Sequence, residues 1–316
     1  MPMQTPGVHH VTAIASDPQA NVDFYTGVLG LRLVKRTVNF DDTRTYHLYY
    51  GDAVGTPGTV LTFFPFEGGQ PGSVGRGQAS ATAFVIPDGS VEFWVDHLES
   101  DGLAVEAPVE RFGETVVPFE DRDGQPLELV TGESDIEPWA DGPVPAEHAI
   151  RGFHGVTLDS LSPDATGALL ESMGFEHVAE AGQRTRYEAD GERATAVDVL
   201  DRPAGDRGRQ GAGTVHHVAL RAPDTETQMD WRAKLLEQDQ RVTEQKNRQY
   251  FHSIYFRESG GVLVEVATDP PGFTRDESVD ELGSGLKLPP WLEPDRETIA
   301  TNLADIEAPA PAETER

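Results

Sequence analysis

The fold is decided by residues 7–66, which read GVHHVTAIASDPQANVDFYTGVLGLRLVKRTVNFDDTRTYHLYYGDAVGTPGTVLTFFPF. This stretch opens with an alternating strand, and Asp17 is a typical N-cap for a helix that runs through Tyr25 and ends at Gly27. Strands are then predicted at Leu31–Asn39, Thr45–Tyr50 and Thr59–Phe64, separated by turn sequences. The order of elements is therefore βαβββ.

The same order recurs three more times along the 316 residues. The last copy opens with TVHHVALRAPD, followed by a predicted helix at Glu226–Glu237 and strands at Arg241–Thr243, Tyr250–Arg257 and Val262–Ala267. Two weaker copies run from about Gln78 to Thr131 and from about Gly152 to Leu200. We number these modules 1 to 4 in chain order.

Four such modules predict an α+β fold in which two cupped barrels of mixed sheet are formed. The expected domains are residues 1–135 for the N-terminal pair of modules, residues 150–270 for the C-terminal pair, and residues 271–316 for a C-terminal tail. A stretch rich in proline, glycine and acidic residues, 132–149, is predicted to link the pairs. The last residues, 308–316, are expected to be disordered.

The composition excludes several kinds of site and partner. The chain has no cysteine, which rules out disulfides, thiolate nucleophiles and sulfur-rich metal sites. Its 54 acidic and 25 basic residues give a formal charge of −29, so neither nucleic acid nor an anionic membrane is an expected partner. The charge balance favours a halophilic protein, with an ordinary acidic protein as the alternative. No membrane span or signal pattern is found, and a cytoplasmic location is expected.

Strand alternation selects three residues that could hold a metal. On the first strand, His9 shares a face with apolar residues that should pack on the helix, which leaves His10 on the concave face of the sheet. The matching strand of module 4 repeats the pattern with His216 and His217. In the later stretch VLVEVA, the valines should pack on the helix and place Glu265 on the concave side.

A lone carboxylate in a valine-rich strand is costly unless it is paired, protonated or bound to a metal. Pairing with Arg248 is one alternative. The other is a facial triad of His10, His217 and Glu265, which leaves open coordination positions as Fe(II) oxygen chemistry requires. Phe63 stands at the module 1 position where a site with four protein ligands would need a Glu or His. The three ligands can converge only if modules 1 and 4 share one cup and modules 2 and 3 the other.

Several long phrases resemble one family. They are HHVTAIASDPQANVDFYTGVLGLRLVKRTVNFDD, TYHLYYGD, TVHHVAL, VLVEVATDPPGF and the tail motif LKLPPWLE. The chain resembles the glyoxalase/bleomycin resistance/extradiol dioxygenase (vicinal oxygen chelate) superfamily over nearly its whole length. Within it, the sequence is most similar to the hydroquinone-type ring-cleaving dioxygenases.

This resemblance implies further roles around the triad. Tyr255 would hydrogen-bond the substrate oxygen, with Arg248 supporting it, and a phenolic hydroxyl suits that task because it both donates and accepts. His9 and His216 would support the ligand histidines from outside, since alternation turns them away from the cup. Thr12 follows His10 by two residues and should face the cup.

The resemblance therefore implies a non-haem, metal-dependent ring-cleaving dioxygenase that acts on a hydroquinone- or catechol-like diol and O₂. Fe(II) is the expected metal, and Mn(II) is the alternative. Two other functions remain open: a glyoxalase-type lyase or isomerase, disfavoured by Phe63, and a metal-free small-molecule binding module, disfavoured by the retained histidines and Glu265. A homodimer is the default oligomeric expectation.

Overall fold

The computed structural model of this protein describes residues 2–307, so the predicted disorder of residues 308–316 lies outside the described part. Module 1 comprises β1 (Val8–Ala15), α1 (Pro18–Val22), β2 (Arg32–Asn39), β3 (Asp42–Gly51) and β4 (Val60–Pro65). Module 2 comprises β5 (Gln78–Ile86), α2 (Val91–Ser100), β6 (Val109–Arg111), β7 (Glu114–Glu120) and β8 (Pro126–Thr131). Both modules have the predicted βαβββ order.

The other two modules repeat this order. Module 3 comprises β9 (Phe153–Asp159), α3 (Pro163–Ser172), β10 (Phe175–Ala181), β11 (Arg184–Ala189) and β12 (Ala196–Leu200). Module 4 comprises β13 (Thr214–Ala222), α4 (Thr225–Glu237), β14 (Lys246–Asn247), β15 (His252–Arg257) and β16 (Leu263–Thr268). The α+β class is confirmed.

Two eight-stranded sheets combine the modules in the predicted way. Modules 4 and 1 form a sheet with the order β14-β15-β16-β13-β1-β4-β3-β2, which we call the first cup. Modules 3 and 2 form the second cup, with the order β10-β11-β12-β9-β5-β8-β7-β6. Each cup is joined at its centre by an antiparallel pair, β1 with β13 and β5 with β9. Each cup therefore contains one module from the expected N-terminal domain, residues 1–135, and one from the expected C-terminal domain, residues 150–270.

The predicted helix of module 1 changes type along its length. The Asp17 side chain caps it as expected by accepting the backbone N–H of Ala20 at 2.9 Å. After α1 the backbone continues as a π-helix over Asp23–Val28, which carries the buried Phe24 and Tyr25 into the core. Within residues 2–307, no helix combines the length and apolar character that crossing a membrane requires.

The predicted strand Arg241–Thr243 is wrong. These residues lie outside any strand, and the short β14 at Lys246–Asn247 pairs with β15 instead. The Thr243 hydroxyl accepts the backbone N–H of Tyr255 at 3.0 Å, and only one backbone hydrogen bond, from Thr243 N–H to the Tyr255 carbonyl, joins the two segments. A side chain has thus taken a donor that a strand ladder would use.

The C-terminal tail packs along the outer strands of module 1. It contains short 3-10 turns and one helix, α5 (Arg296–Asn302). The buried Lys35 of β2 anchors it by donating to Glu277 and, at 2.7 Å, to Asp276. Farther along, the Trp291 ring meets Phe40 edge to face at 5.7 Å. The tail therefore reaches the rim of the first cup.

Candidate metal centre

The two central strands of the first cup bring three candidate ligands together. β1 and β13 place His10 and His217 side by side, and β16, which pairs with β13, sets Glu265 opposite Ala219. The His10 and His217 Nε2 atoms are 3.3 Å apart. Glu265 Oε2 lies 2.9 Å from His217 Nε2 and 3.5 Å from His10 Nε2. All three side chains are buried.

Each histidine pair contains a β-bulge. The register of β1 with β13 slips at His9 and again at His216, so each is an extra residue without a partner across the pair. His9 Nδ1 lies 3.0 Å from His10 Nδ1, and His216 Nδ1 lies 2.8 Å from His217 Nδ1. The first histidine of each pair therefore contacts the far side of the ring that would ligate the metal.

The bulges correct one expectation from strand alternation. Both His9 and His216 were expected to point away from the cup. His9 is buried beside Phe251, with ring centroids 5.3 Å apart, but His216 lines the cavity above the candidate metal centre. For His216 the expectation is wrong, because a bulge interrupts the two-residue period on which it rested.

Burial lowers the pKa of three histidines at the centre. It lowers the pKa of His217, lowers that of His9 well below its ordinary value, and lowers that of His216 to about 3. Burial alone would raise the pKa of Glu265, but the adjacent side chains of His10 and His217 outweigh burial and hold this pKa well below its ordinary value. The centre thus combines imidazole nitrogens with an ionised carboxylate.

One oxygen of the Glu265 carboxylate accepts a hydrogen bond from the described residues, and the other does not. Oε1 accepts the Ser253 hydroxyl at 2.5 Å. Oε2 is buried and, among the described residues, accepts no hydrogen bond of acceptable geometry. Arg248, the alternative partner, pairs with Asp41 instead. A buried oxygen that faces two imidazoles, with no guanidinium or ammonium group beside it among the described residues, fits a bound divalent metal.

The second cup provides an internal comparison. In each module, the residue three positions after the bulge pairs with a residue on the neighbouring parallel strand. That partner is Thr62 in module 1, Glu128 in module 2, Asp198 in module 3 and Glu265 in module 4. Glu128 accepts Arg111 at 2.8 Å, and Asp198 accepts Arg186 at 2.8 Å. Guanidinium groups thus neutralise both carboxylates of the second cup, whereas the basic groups within 4 Å of Glu265, among residues 2–307, are imidazoles only.

A cavity of about 310 Å³ opens above the three candidate ligands. Its walls include the aromatic rings of Phe40, Phe64 and Phe251, and the Phe251 ring tilts over His10 at 4.9 Å. An apolar cavity of this size with a few polar groups suits a small aromatic ligand.

Comparison with known proteins agrees with this geometry. Residues 7–129 and 155–266 match the Glyoxalase/Bleomycin resistance protein/Dioxygenase superfamily. The chain belongs to this superfamily. It is 47% identical to a Bacillus subtilis (strain 168) protein that carries the name ring-cleaving dioxygenase MhqO, over 97% of this chain and 98% of that one.

Two further relatives extend the comparison. The chlorohydroquinone/hydroquinone 1,2-dioxygenase of Sphingobium indicum is 35% identical over 96% of this chain and 98% of its own. A crystal structure described as a dioxygenase from Bacillus subtilis superposes with a TM-score of 0.94 at 47% identity, covering 97% of this chain and 99% of that one. These names agree with the predicted oxidoreductase class, which is confirmed at the level of the family.

Within this superfamily, the position expected to carry a fourth ligand was misplaced by one residue. Thr62, and not Phe63, is the module 1 counterpart of Glu265. Phe63 is buried on the opposite face of the strand and packs against Tyr25, with ring centroids 4.5 Å apart. It therefore lies in the core and not at the cavity. Thr62 carries no carboxylate or imidazole, so three candidate ligands remain.

The two further residues that the superfamily resemblance singled out meet at the cavity wall. Tyr255 pairs with Glu265 across the antiparallel strands, and Arg248 Nε donates to the Tyr255 hydroxyl at 3.1 Å. Burial, with Glu265 adding to it and Arg248 opposing it, raises the pKa of Tyr255, so its hydroxyl stays protonated. Thr12 is buried off the cavity wall, with its hydroxyl 2.9 Å from that of Thr62.

Sequence reasoning missed Asp41, His47 and Tyr49, which also line the cavity. Asp41 accepts Arg248 Nη2 at 2.8 Å across 207 residues of chain, a contact that no local pattern signals. His47 and Tyr49 lie on β3, in the phrase TYHLYYGD. Their inward facing could have been found by counting strand alternation from Thr62, had the register of module 1 been placed correctly.

Proposed function

We propose that this protein is a metal-dependent, ring-cleaving dioxygenase of the extradiol type that acts on a hydroquinone- or catechol-like aromatic diol. The observation that carries the proposal is the buried Glu265 carboxylate, which faces two imidazoles beneath an apolar cavity and has no guanidinium or ammonium partner among the described residues. The names of its relatives support the same reaction.

His10, His217 and Glu265 would hold the metal, with Fe(II) proposed and Mn(II) as the alternative. Bound there, the metal would supply the redox chemistry between the aromatic ring and O₂. His9 and His216 contact the Nδ1 atoms of the two ligand rings and so fix their orientation. This leaves each Nε2 lone pair directed at the centre.

The remaining residues bind and orient the substrate. The rings of Phe40, Phe64 and Phe251 exclude water and contact the faces of an aromatic ring. The protonated Tyr255 hydroxyl can donate to a substrate oxygen that has lost its proton. Arg248 holds that hydroxyl in place and is itself held by Asp41, which lies on the opposite edge of the cup.

Both competing functions make different predictions about metal and oxygen. A glyoxalase-type isomerase would consume no O₂, and Thr62 leaves it without a fourth side-chain ligand. A metal-free binding module would leave Glu265 without a cation. Protein purified without air should therefore contain about one divalent metal per chain, and should take up oxygen when hydroquinone or catechol is added.

A matched pair of variants tests the ligand set. Glu265→Ala should abolish both stoichiometric metal and oxygen uptake, because one of three ligands is lost. Glu128→Ala removes the carboxylate at the same register position of the second cup and should leave both unchanged. Metal analysis of the two proteins, beside wild type, decides the matter. Full metal occupancy in Glu265→Ala would falsify the triad. If the wild-type protein binds metal but takes up no oxygen, the isomerase is favoured over the dioxygenase.

A further inference from the structure

The two modules of the first cup carry equivalent tyrosines. Tyr255 on β15 pairs with Glu265, and Tyr49 on β3 pairs with Thr62, the module 1 counterpart of Glu265. On each strand, the side chain two residues before the tyrosine contacts the residue that pairs with the tyrosine. Ser253 donates to Glu265 at 2.5 Å, and His47 Nε2 lies 2.8 Å from the Thr62 hydroxyl. Tyr49 is thus related to Tyr255 by the internal repeat.

These tyrosines lie on opposite sides of the metal centre. In the order β15-β16-β13-β1-β4-β3, the two central strands carry His10 and His217. Tyr255 is two strands away from β13 on one side, and Tyr49 is two strands away from β1 on the other. Both side chains line the same cavity. A ring held between them would meet a hydroxyl group at each side.

A hydrogen-bonded chain sets the direction of the Tyr49 hydroxyl. Its oxygen lies 2.8 Å from His47 Nδ1, and the chain continues from His47 Nε2 through the hydroxyl of Thr62 to that of Thr12. Burial lowers the pKa of His47 well below its ordinary value, so the imidazole is neutral and has one donor and one acceptor nitrogen.

Such a chain can run in either direction. If Thr62 donates to His47 Nε2, then Nδ1–H donates to the Tyr49 oxygen and the Tyr49 O–H is free to donate into the cavity. If Tyr49 donates to Nδ1, a lone pair of its oxygen remains free to accept. Tyr49 can therefore satisfy a ligand hydroxyl in either role, which suits a neutral phenol group that both donates and accepts.

We propose that Tyr49, held by the positioning residue His47, binds the second hydroxyl of the aromatic diol, on the side of the ring away from Tyr255. This inference rests on the proposed function. Since the two tyrosines face each other across the centre, the pair selects a substrate whose hydroxyls lie at opposite ends of the ring. Thr12 then acts at the end of the hydrogen-bonded chain, without contacting the substrate.

Anaerobic binding to the Fe(II)-loaded protein tests the role of Tyr49 without turnover. Dissociation constants for hydroquinone and for phenol are measured by titration calorimetry, and the ratio of the phenol constant to the hydroquinone constant reports on the second hydroxyl alone. In Tyr49→Phe this ratio should fall by about threefold to tenfold, which is the usual contribution of one neutral hydrogen bond, while the phenol constant stays the same. Tyr255→Phe, the matched control, should weaken both probes alike and keep the wild-type ratio.

An unchanged ratio in Tyr49→Phe would overturn the proposal. If neither probe binds the wild-type protein, the proposed function fails first, and the two failures are distinguishable. Melting temperature and iron content show whether Tyr49→Phe folds and loads normally. If Tyr49→Phe does not fold or load iron normally, the wild-type protein provides the test. It should bind hydroquinone more tightly than resorcinol, whose hydroxyls are not opposite each other. Equal binding of the two overturns the inference.

Discussion

Tyr255 has a hydroxyl that touches Arg248 and a ring that packs 5.8 Å from the His217 ring, so its two parts serve different purposes. We expect Tyr255→Phe to keep the packing and to lose only the hydrogen bond. If that bond is made to a charged substrate oxygen in the transition state, its loss costs about 1.5–3 kcal/mol, or roughly tenfold to a hundredfold in rate.

Steady-state oxygen uptake by the Fe(II)-loaded Tyr255→Phe protein measures this effect, with metal content and melting temperature as controls. Both controls should stay at wild-type values. Turnover at the wild-type rate would make Tyr255 a packing residue. Loss of iron would instead make it a structural support of Glu265, its partner across the strands.

At the scale of single elements, the turn between β7 and β8 ties module 2 to module 1. Asp121 in this turn accepts the Tyr25 hydroxyl at 2.8 Å and the backbone N–H groups of Asp123 and Gln125 at 2.9 Å each. Burial raises the pKa of Asp121 to about 6, although these hydrogen bonds oppose the shift. The folded protein therefore favours the protonated carboxyl group.

The sign of the pH effect follows from this raised pKa. Stability from protonated Asp121 is fully present below the unfolded pKa of about 4 and is lost as pH rises through about 6. Asp121→Asn resembles the protonated form at every pH. Between pH 4 and pH 8 the variant should gain about 2.5 kcal/mol in free energy of unfolding relative to wild type. Urea unfolding of both proteins at the two pH values tests this, and a constant difference would contradict it.

Strand alternation predicted His10, His217 and Glu265 as one inward-facing group because these strands have an apolar and a polar face. The same reasoning failed at the bulges, where His216 entered the cavity wall. Nothing local marks a bulge in HHV, since the extra residue is defined by the partner strand. The one-residue error at Phe63 has the same origin: register is a property of two strands, and single-strand patterns leave it open.

At the scale of the whole molecule, the repeats predicted which modules pair, because the candidate ligands are in modules 1 and 4 only. The sequence could not predict which side chains would neutralise the carboxylates of the second cup. Its arginines on β6 and β11 neutralise Glu128 and Asp198, and those contacts join strands that have no shared motif. The two cups thus surround a buried carboxylate with different partners: guanidinium groups in the second cup and imidazoles in the first.

The charge of −29 belongs to the whole molecule as well. Repulsion among surface carboxylates should destabilise the fold in dilute buffer, and salt should screen it. We expect the melting temperature to rise as KCl increases from millimolar to molar concentration. Sodium chloride serves as the control, because screening alone depends on ionic strength and not on the cation. A melting temperature indifferent to KCl would remove the basis for a halophilic protein.

The pairing of β1 with β13 also constrains the order in which this chain can mature on the ribosome. The two candidate histidine ligands are 207 positions apart, and Glu265 follows later still. While the polypeptide is being synthesised, β1 has no antiparallel neighbour until most of the chain has emerged, and its open edge is a site for non-native pairing. No truncated product that ends before β16 can contain all three candidate ligands. If these three residues bind the metal, its uptake requires that translation has passed Glu265.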